Sequence, residues 1–237
     1  MTQRFQTTRW SLIFAAGETD GPESRQALSS LCEAYWYPLY SFVRRQGHDA
    51  DAARDATQAY FLTFLEKDYL ADVKPEAGRF RSFLLASLKH FLSKERTRDR
   101  AAKRGGGKVV LAIDLTDAEA RFLAEHSGGD SPEAAFEHQW AATILERAMS
   151  RLQAEAVDSD KEELFSYLLG HLTGESKTAG YAEMAECLGM SVGAVKVAVH
   201  RARRRFGELM RSEIAETVAH PGDIDAEVRY LLEILRR

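Results

Sequence analysis

YAEMAECLGMSVGAVKVAVHRARRRFGELM, residues 181–210, reads as two short helices joined by a tight turn, the second of them unusually basic. Met184, Ala185 and Leu188 share one face of the first helix at helical spacing. Gly189 supplies the turn, where a residue without Cβ accepts a positive φ at no steric cost. Ser191 is an N-cap, because its hydroxyl accepts one of the orphan N–H groups of the helix that follows. Val195, Val199, Ala202, Phe206 and Leu209 recur at steps of four and three and form one buried stripe. Lys196, His200, Arg201, Arg203, Arg204 and Arg205 fill the remaining faces. The small Ala185, four residues before Gly189 and ten before Val195, permits the close approach of the two helices in a helix-turn-helix.

The composition bounds the rest. At 237 residues, 45% of them apolar, the chain is long enough for one large or two small cores. Its net charge of −4 does not mark a nucleic-acid binder, but the charges are segregated along the chain. Cys32 and Cys187 stand far apart in apolar helical patterns and read as buried free thiols of a reducing cytosol, the expected location. The longest N-terminal apolar run, Leu12 to Ala16, is too short for a signal-peptide core, and no stretch approaches membrane-spanning length, so no membrane insertion is expected.

The expected layout is an N-terminal arm over 1–25, with an apolar knot at Trp10, Leu12, Ile13 and Phe14, then a first helical domain over 26–104. That domain has three helices. The first carries Leu28, Leu31, Tyr35, Leu39 and Phe42, with a kink or tight turn at Pro38 and a stop at Gly47. Asp49 or Asp51 caps the second, which offers Ala53, Ala56, Tyr60, Phe61 and Phe64 to the core. The third starts near Phe80, buries Phe80, Leu84, Leu88 and Phe91, and ends in Lys89, Lys94, Arg96, Arg98, Arg100, Lys103 and Arg104. A flexible acidic linker is expected over 105–135, opening on Gly105, Gly106 and Gly107. It includes a short apolar run, Val109 to Ile113, that could pair as a strand or dock on a partner. Pro132 opens the next helix, and a helix-turn-helix domain extends over 136–214. A C-terminal helical extension, 215–237, uses Ile224, Val228, Leu231, Leu232 and Leu235. The fold class is all-α, with two small helical domains.

The residues carry no enzyme constellation. The seven histidines are scattered, without HExxH or cysteine–histidine metal spacing, and no Gly-x-Ser-x-Gly elbow is present. No metal or cofactor is expected. What remains is two basic helical surfaces separated by acidic residues. Basic side chains on a helix neutralise phosphates and release counterions, and a helix tip in the major groove reads bases.

At this point the chain resembles the extracytoplasmic-function sigma factors of bacterial RNA polymerase. LCEAYWYPLYSFVRRQGHDADAARDATQAYFLTFLE followed by FRSFLLASLKHFLSKERTRDR is similar to region two of that group. GYAEMAECLGMSVGAVKVAVHRARRR is similar to its region four, whose usual form is SYAELAxxLGxSxGxVKxxxHRARRR. The matches span roughly 26 to 104 and 136 to 212.

The resemblance implies a transcription initiation factor that binds core RNA polymerase on its clamp and flap surfaces, carries it to promoter double-stranded DNA and helps open the duplex. It implies that Asp55, Gln58, Phe61 and Leu62 dock on the clamp helices. Lys89, His90, Lys94 and Arg96 would face the minus-ten element, with the loop Lys67 to Arg79 holding a flipped base. Ser191, Lys196, Val197, His200, Arg201, Arg203 and Arg204 would meet the minus-thirty-five element. Phe80, Phe83 and Phe91 would suit base stacking, although helical spacing puts Phe80 and Phe91 in the core.

The acidic run usual before Gln58 stands here as Ala52, Ala53, Arg54 and Asp55. Phosphorylation of Thr57 or Thr63 would restore negative charge on that helix. Two routes of control therefore stay open, release from an anti-sigma factor or modification by a serine/threonine kinase. The rival reading is a stand-alone helix-turn-helix transcriptional regulator, with the last helix as its dimer interface.

Overall fold

The computed structural model describes residues 22–65, 79–101, 118–124, 131–173, 180–218 and 220–236. Among them every regular element is helical. The elements are α1 (Pro22–Arg45), α2 (Ala50–Leu65), α3 (Phe80–Ala101), α4 (Ala118–Ala124), α5 (Pro132–Asp158), α6 (Glu162–Thr173), α7 (Tyr181–Cys187), α8 (Val192–Ala215) and α9 (Ile224–Ile234). A 3-10 turn at Pro221–Asp223 leads into α9. The all-α class holds. Residues 1–21 of the expected N-terminal arm, the loop from 66 to 78 and the apolar run Val109 to Ile113 lie outside the described residues, while 22–25, expected in the arm, form the first turn of α1. No described helix is long and apolar enough to cross a membrane.

Local chemistry sets most boundaries. Gly47, at φ 92°, ends α1 in the left-handed conformation that glycine adopts without strain. Asp49 then caps α2, its carboxylate accepting from the Ala52 N–H at 2.7 Å. Ser131 caps α5 in the same way through Ala134 N–H at 3.1 Å, with Pro132 at the first helical position. Pro38 neither stops nor starts a helix, because α1 runs through it from Pro22.

The chain divides into two compact units, Met1–Thr143 with Ala215–Arg237, and Ile144–Ile214. The boundary falls inside α5 rather than in the acidic stretch, and the last helix belongs to the first unit. In that unit α1, α2 and α3 share an aromatic core. Phe80 meets Tyr35 edge-on at 5.1 Å and Phe64 at 6.4 Å, and Tyr60 meets Phe91 at 5.8 Å. The Tyr60 hydroxyl donates to the Leu84 carbonyl at 3.2 Å, which satisfies a phenol buried between α2 and α3.

Arg81 gives this unit its strongest constraint. It and Glu227 of α9 are each only 2% exposed and form an ion pair. Arg79 Nε reaches the other Glu227 oxygen at 2.9 Å, and Glu137 of α5 lies 4.0 Å from Arg81 Nε while accepting from the Tyr230 hydroxyl. The Arg81 guanidinium lies over the Trp140 ring at 4.6 Å and the Tyr230 ring at 4.4 Å. Burial, reinforced by the neighbouring Arg79 charge, pushes the Arg81 pKa down. The sequence offered Ile224, Val228, Leu231, Leu232 and Leu235 as the buried face of α9. The buried set among α9 residues is Glu227, Leu231 and Ile234, while Leu232 and Leu235 are exposed.

Residues 118–124, expected within an extended tether, are helical and held in the same unit. Glu119 takes hydrogen bonds from Arg44 Nε at 3.0 Å, Arg44 Nη2 at 2.7 Å and the Tyr40 hydroxyl at 2.5 Å. Burial and the bond to Glu119 push the Tyr40 phenol up to about 12.

Removing one member of a buried ion pair leaves the other charge uncompensated, at about 3–5 kcal/mol, whereas replacing both by apolar residues of similar size is often neutral. Glu227→Ala should therefore lower the unfolding free energy of this unit by about that amount, and R81M/E227M should recover most of it. Denaturant unfolding followed by tryptophan fluorescence measures both; an equal loss in the two variants would contradict the pairing.

Candidate nucleic-acid interface

The second unit is built from the end of α5, then α6, α7 and most of α8. Between α7 and α8 the chain turns through Gly189 at φ 60°. Met190 N–H bonds to the Ala185 carbonyl at 2.9 Å and Gly189 N–H to the Glu186 carbonyl at 3.3 Å, a Schellman pattern that closes α7. Ser191 then caps α8 through the Ala194 N–H at 3.2 Å. This hydroxyl shapes the start of the helix, so the DNA role expected for Ser191 is first of all a capping role.

Met184, Ala185, Val195, Val199 and Leu168 form one buried cluster. Leu209, Ala148, Leu152 and Phe165 form a second, with Phe206 packed against it. The opposite face of α8 carries Lys196, Val197, His200, Arg201 and Arg204, all exposed, with Val197 at 48%. Steps of three and four put these side chains on one arc. Five of the seven expected recognition residues are thus brought together on one surface, while Ser191 caps the helix and Arg203 turns to α6.

Not all the arginines of α8 have the same neighbours. Arg203 donates to the His171 carbonyl at 3.0 Å, which ties α8 to the end of α6. Arg205 pairs with Glu155 at 2.6 Å and Glu208 at 3.2 Å, bonds that push its pKa further up. Arg204 pairs with Glu208 at 3.1 Å yet stays 76% exposed. Lys196 lies 6.0 Å over Tyr181, whose ring stacks on His171. Cys187, expected to be buried, is exposed at the end of α7; the side chain of Cys32 lies outside the described residues.

Two features of this unit have no signature in the chain's periodicity. One is an apolar groove of about 560 Å³ between the end of α5, α6 and the first half of α8. Leu152, Leu164, Phe165, Leu168 and Met190 line it, with Val197, Arg201 and Arg205 also on its wall. The other is Glu213, 4% exposed, which takes hydrogen bonds from Arg147 at 2.9 Å and Arg151 at 2.7 Å.

In the first unit, Lys89, His90, Lys94 and Arg96 are all exposed on α3. Lys89 pairs with Glu133 at 2.6 Å, a bond that pulls the Glu133 carboxyl below its ordinary value. Arg96 donates to the Gln46 side chain at 3.0 Å. Gln46, Lys89 and Arg96, with Leu92, Ser93 and Thr97, line a polar recess of about 240 Å³, which His90 and Lys94 do not enter. Phe80 and Phe91 are core residues, which removes them as stacking platforms, and half-buried Phe83 packs 6.2 Å from Phe64.

The expected polymerase-facing set on α2 separates. Asp55 is exposed, Gln58 and Leu62 are half-buried, and Phe61 is in the core at 1% exposure against Trp36. Phe61 therefore cannot dock on a partner in this fold. Thr57 is fully buried, its hydroxyl donating to the Ala53 carbonyl at 2.7 Å, so a kinase reaches it only if α2 leaves the core. The signal was available: Thr57 falls four residues after Ala53 and four before Phe61, on the buried stripe itself. Thr63 is half-buried and donates to the Ala59 carbonyl at 2.9 Å.

No group of three or more histidine, cysteine, aspartate or glutamate side chains among the described residues could hold a metal ion. In comparisons with known proteins, no protein-family model, no curated protein and no solved structure matches the chain.

Burial pushes the Glu213 carboxyl up, but the bonds from Arg151 and Arg147 outweigh it and hold the group below its ordinary 4.5. A carboxylate depressed by folding adds stability that is present above its unfolded pKa and is lost as pH falls through the folded one. The second unit should therefore lose stability as pH drops below about 4.5, and Glu213→Gln should flatten that part of the profile. Thermal unfolding across this range distinguishes the two proteins; parallel profiles would rule the pairing out.

Proposed function

We propose that the protein is a transcription initiation factor of the extracytoplasmic-function sigma type, which joins core RNA polymerase, directs it to promoters and helps open the duplex. The observation that carries this reading is the exposed arc Lys196, Val197, His200, Arg201 and Arg204 on the second helix of a capped helix-turn-helix. The resemblance of both halves of the chain to one kind of factor adds the polymerase to the DNA. In this reading α8 enters the major groove of the minus-thirty-five element, and α3, through Lys89, His90, Lys94 and Arg96, faces the minus-ten element. Asp55, Gln58 and Leu62 remain on α2 for the polymerase clamp. The apolar groove beside α8 offers the flap a surface for an apolar helix.

Ion pairs shape the free protein. Lys89 is engaged by Glu133, and Arg205 by Glu155 and Glu208, so phosphate contacts at these positions must displace carboxylates. Such exposed pairs are worth about 0–1 kcal/mol each, so the exchange is cheap once polymerase holds the DNA nearby. A stand-alone regulator would need another surface for dimerisation than the buried face of α9, which Arg79 and Arg81 already occupy.

The isolated protein should bind duplex DNA weakly, and promoter-specific binding should appear only with core polymerase; co-purification and footprinting test this. A polymerase-independent, sequence-specific footprint would favour the stand-alone regulator.

Within the complex, Arg204→Ala should weaken binding to all promoters and lower the salt slope by about one. Val197→Ser, nearer the helix tip, should change the preferred base, because it removes an apolar contact for a thymine methyl. A promoter library in which Arg204→Ala switches preference at a single base would contradict this division of labour.

A further inference from the structure

α4 is seven residues long, shorter than any helix stable on its own in water. Tertiary contacts must therefore hold it, and those contacts are specific. Glu119 is gripped by two of the three guanidinium nitrogens of Arg44 and by the Tyr40 hydroxyl. Three residues on, one turn along the same face, Phe122 receives Arg44 at 4.6 Å and Arg45 at 5.7 Å over its ring. Arg121 lies 4.1 Å over the Tyr37 ring and reaches Gln139 at 3.4 Å. The face beneath is rich in aromatic rings, with Tyr37 and Tyr40 packed at 6.3 Å and Tyr40 stacked on Trp36 at 6.3 Å. Away from it, Leu123 is 70% exposed. The surface of α1 thus reads a carboxylate and an aromatic ring spaced one helical turn apart.

We propose that this face of α1 is a docking site for a helix of a partner protein that carries a glutamate and, three residues later, an aromatic side chain, and that α4 is its occupant in cis. Partner binding and release of the acidic connector are then a single exchange. The covalent link gives α4 the advantage of a high effective concentration, although the helix itself is short and marginal. A longer partner helix with the same two anchors has a lower nucleation cost and can displace it. In the proposed transcription factor the exchange would free the connector when the protein joins its partner. The docking face itself does not depend on that reading.

The test uses the full-length protein and, as probe, a fluorescently labelled peptide covering residues 114–128. E119A/F122A empties the face without touching the α1–α2–α3 core, and hydrogen exchange should show faster amides at 118–124 with those of α1 and α2 unchanged. The peptide should bind E119A/F122A at least tenfold more tightly than wild type, and adding R44A should abolish that gain. Equal affinity for wild type and E119A/F122A, no binding to E119A/F122A, or a gain that survives R44A would each overturn the proposal. The measurement contains no polymerase or DNA, so failure here is distinct from failure of the promoter reading.

Discussion

A guanidinium keeps its proton inside a protein, so burying Arg81 obliges the fold to bring carboxylates to it. Those carboxylates come from two distant parts of the chain, Glu227 on α9 and Glu137 on α5, and two aromatic rings close over the charge. Pieces of α3, α5 and α9 are thereby fixed to one another within the first unit. Desolvating two charges is repaid only when both are present and well placed, which makes the contact a demanding one. It explains why the last helix belongs with the first unit, although the second unit intervenes in sequence.

The second unit answers a different demand, which is to hold α8 rigid while leaving one of its faces to solvent. Gly189 and Ser191 fix where α8 starts; Val195, Val199 and Leu209 fix which way it faces. Arg203 ties its middle to α6, and Glu213 near its end is held by two arginines of α5. A helix fixed at its start, middle and end presents its exposed arc as one rigid surface.

The net charge of −4 conceals how the charges are used. Glu119, Glu133 and Glu155 each engage a basic side chain of their own unit, namely Arg44, Lys89 and Arg205. The acidic residues thus neutralise basic side chains within their own unit. Because most of these pairs are half exposed, they fix position at little cost in free energy and can be exchanged.

Periodicity and capping chemistry are local, and they carried much of the helical architecture. The three aromatic helices of the first unit, the helix-turn-helix with Gly189 and Ser191, and the stop at Gly47 could all be read from neighbouring residues. The same local signal gave the exposed arc of α8, since a helix with one apolar stripe has only one face to offer. On α2 the same stripe runs through Ala53, Thr57 and Phe61, and the packing of α1 and α3 on that helix buries all three. The local signal could not find the Arg81–Glu227 pair, the grip of Arg44 on Glu119 or the groove beside α8. Each of these is a meeting of residues remote in sequence, and a charged side chain carries no mark of whether its partner will be water or a buried counter-charge. Sequence determined which segments become helices and which faces are apolar; only tertiary packing decided which polar groups lie inside and which are left to bind.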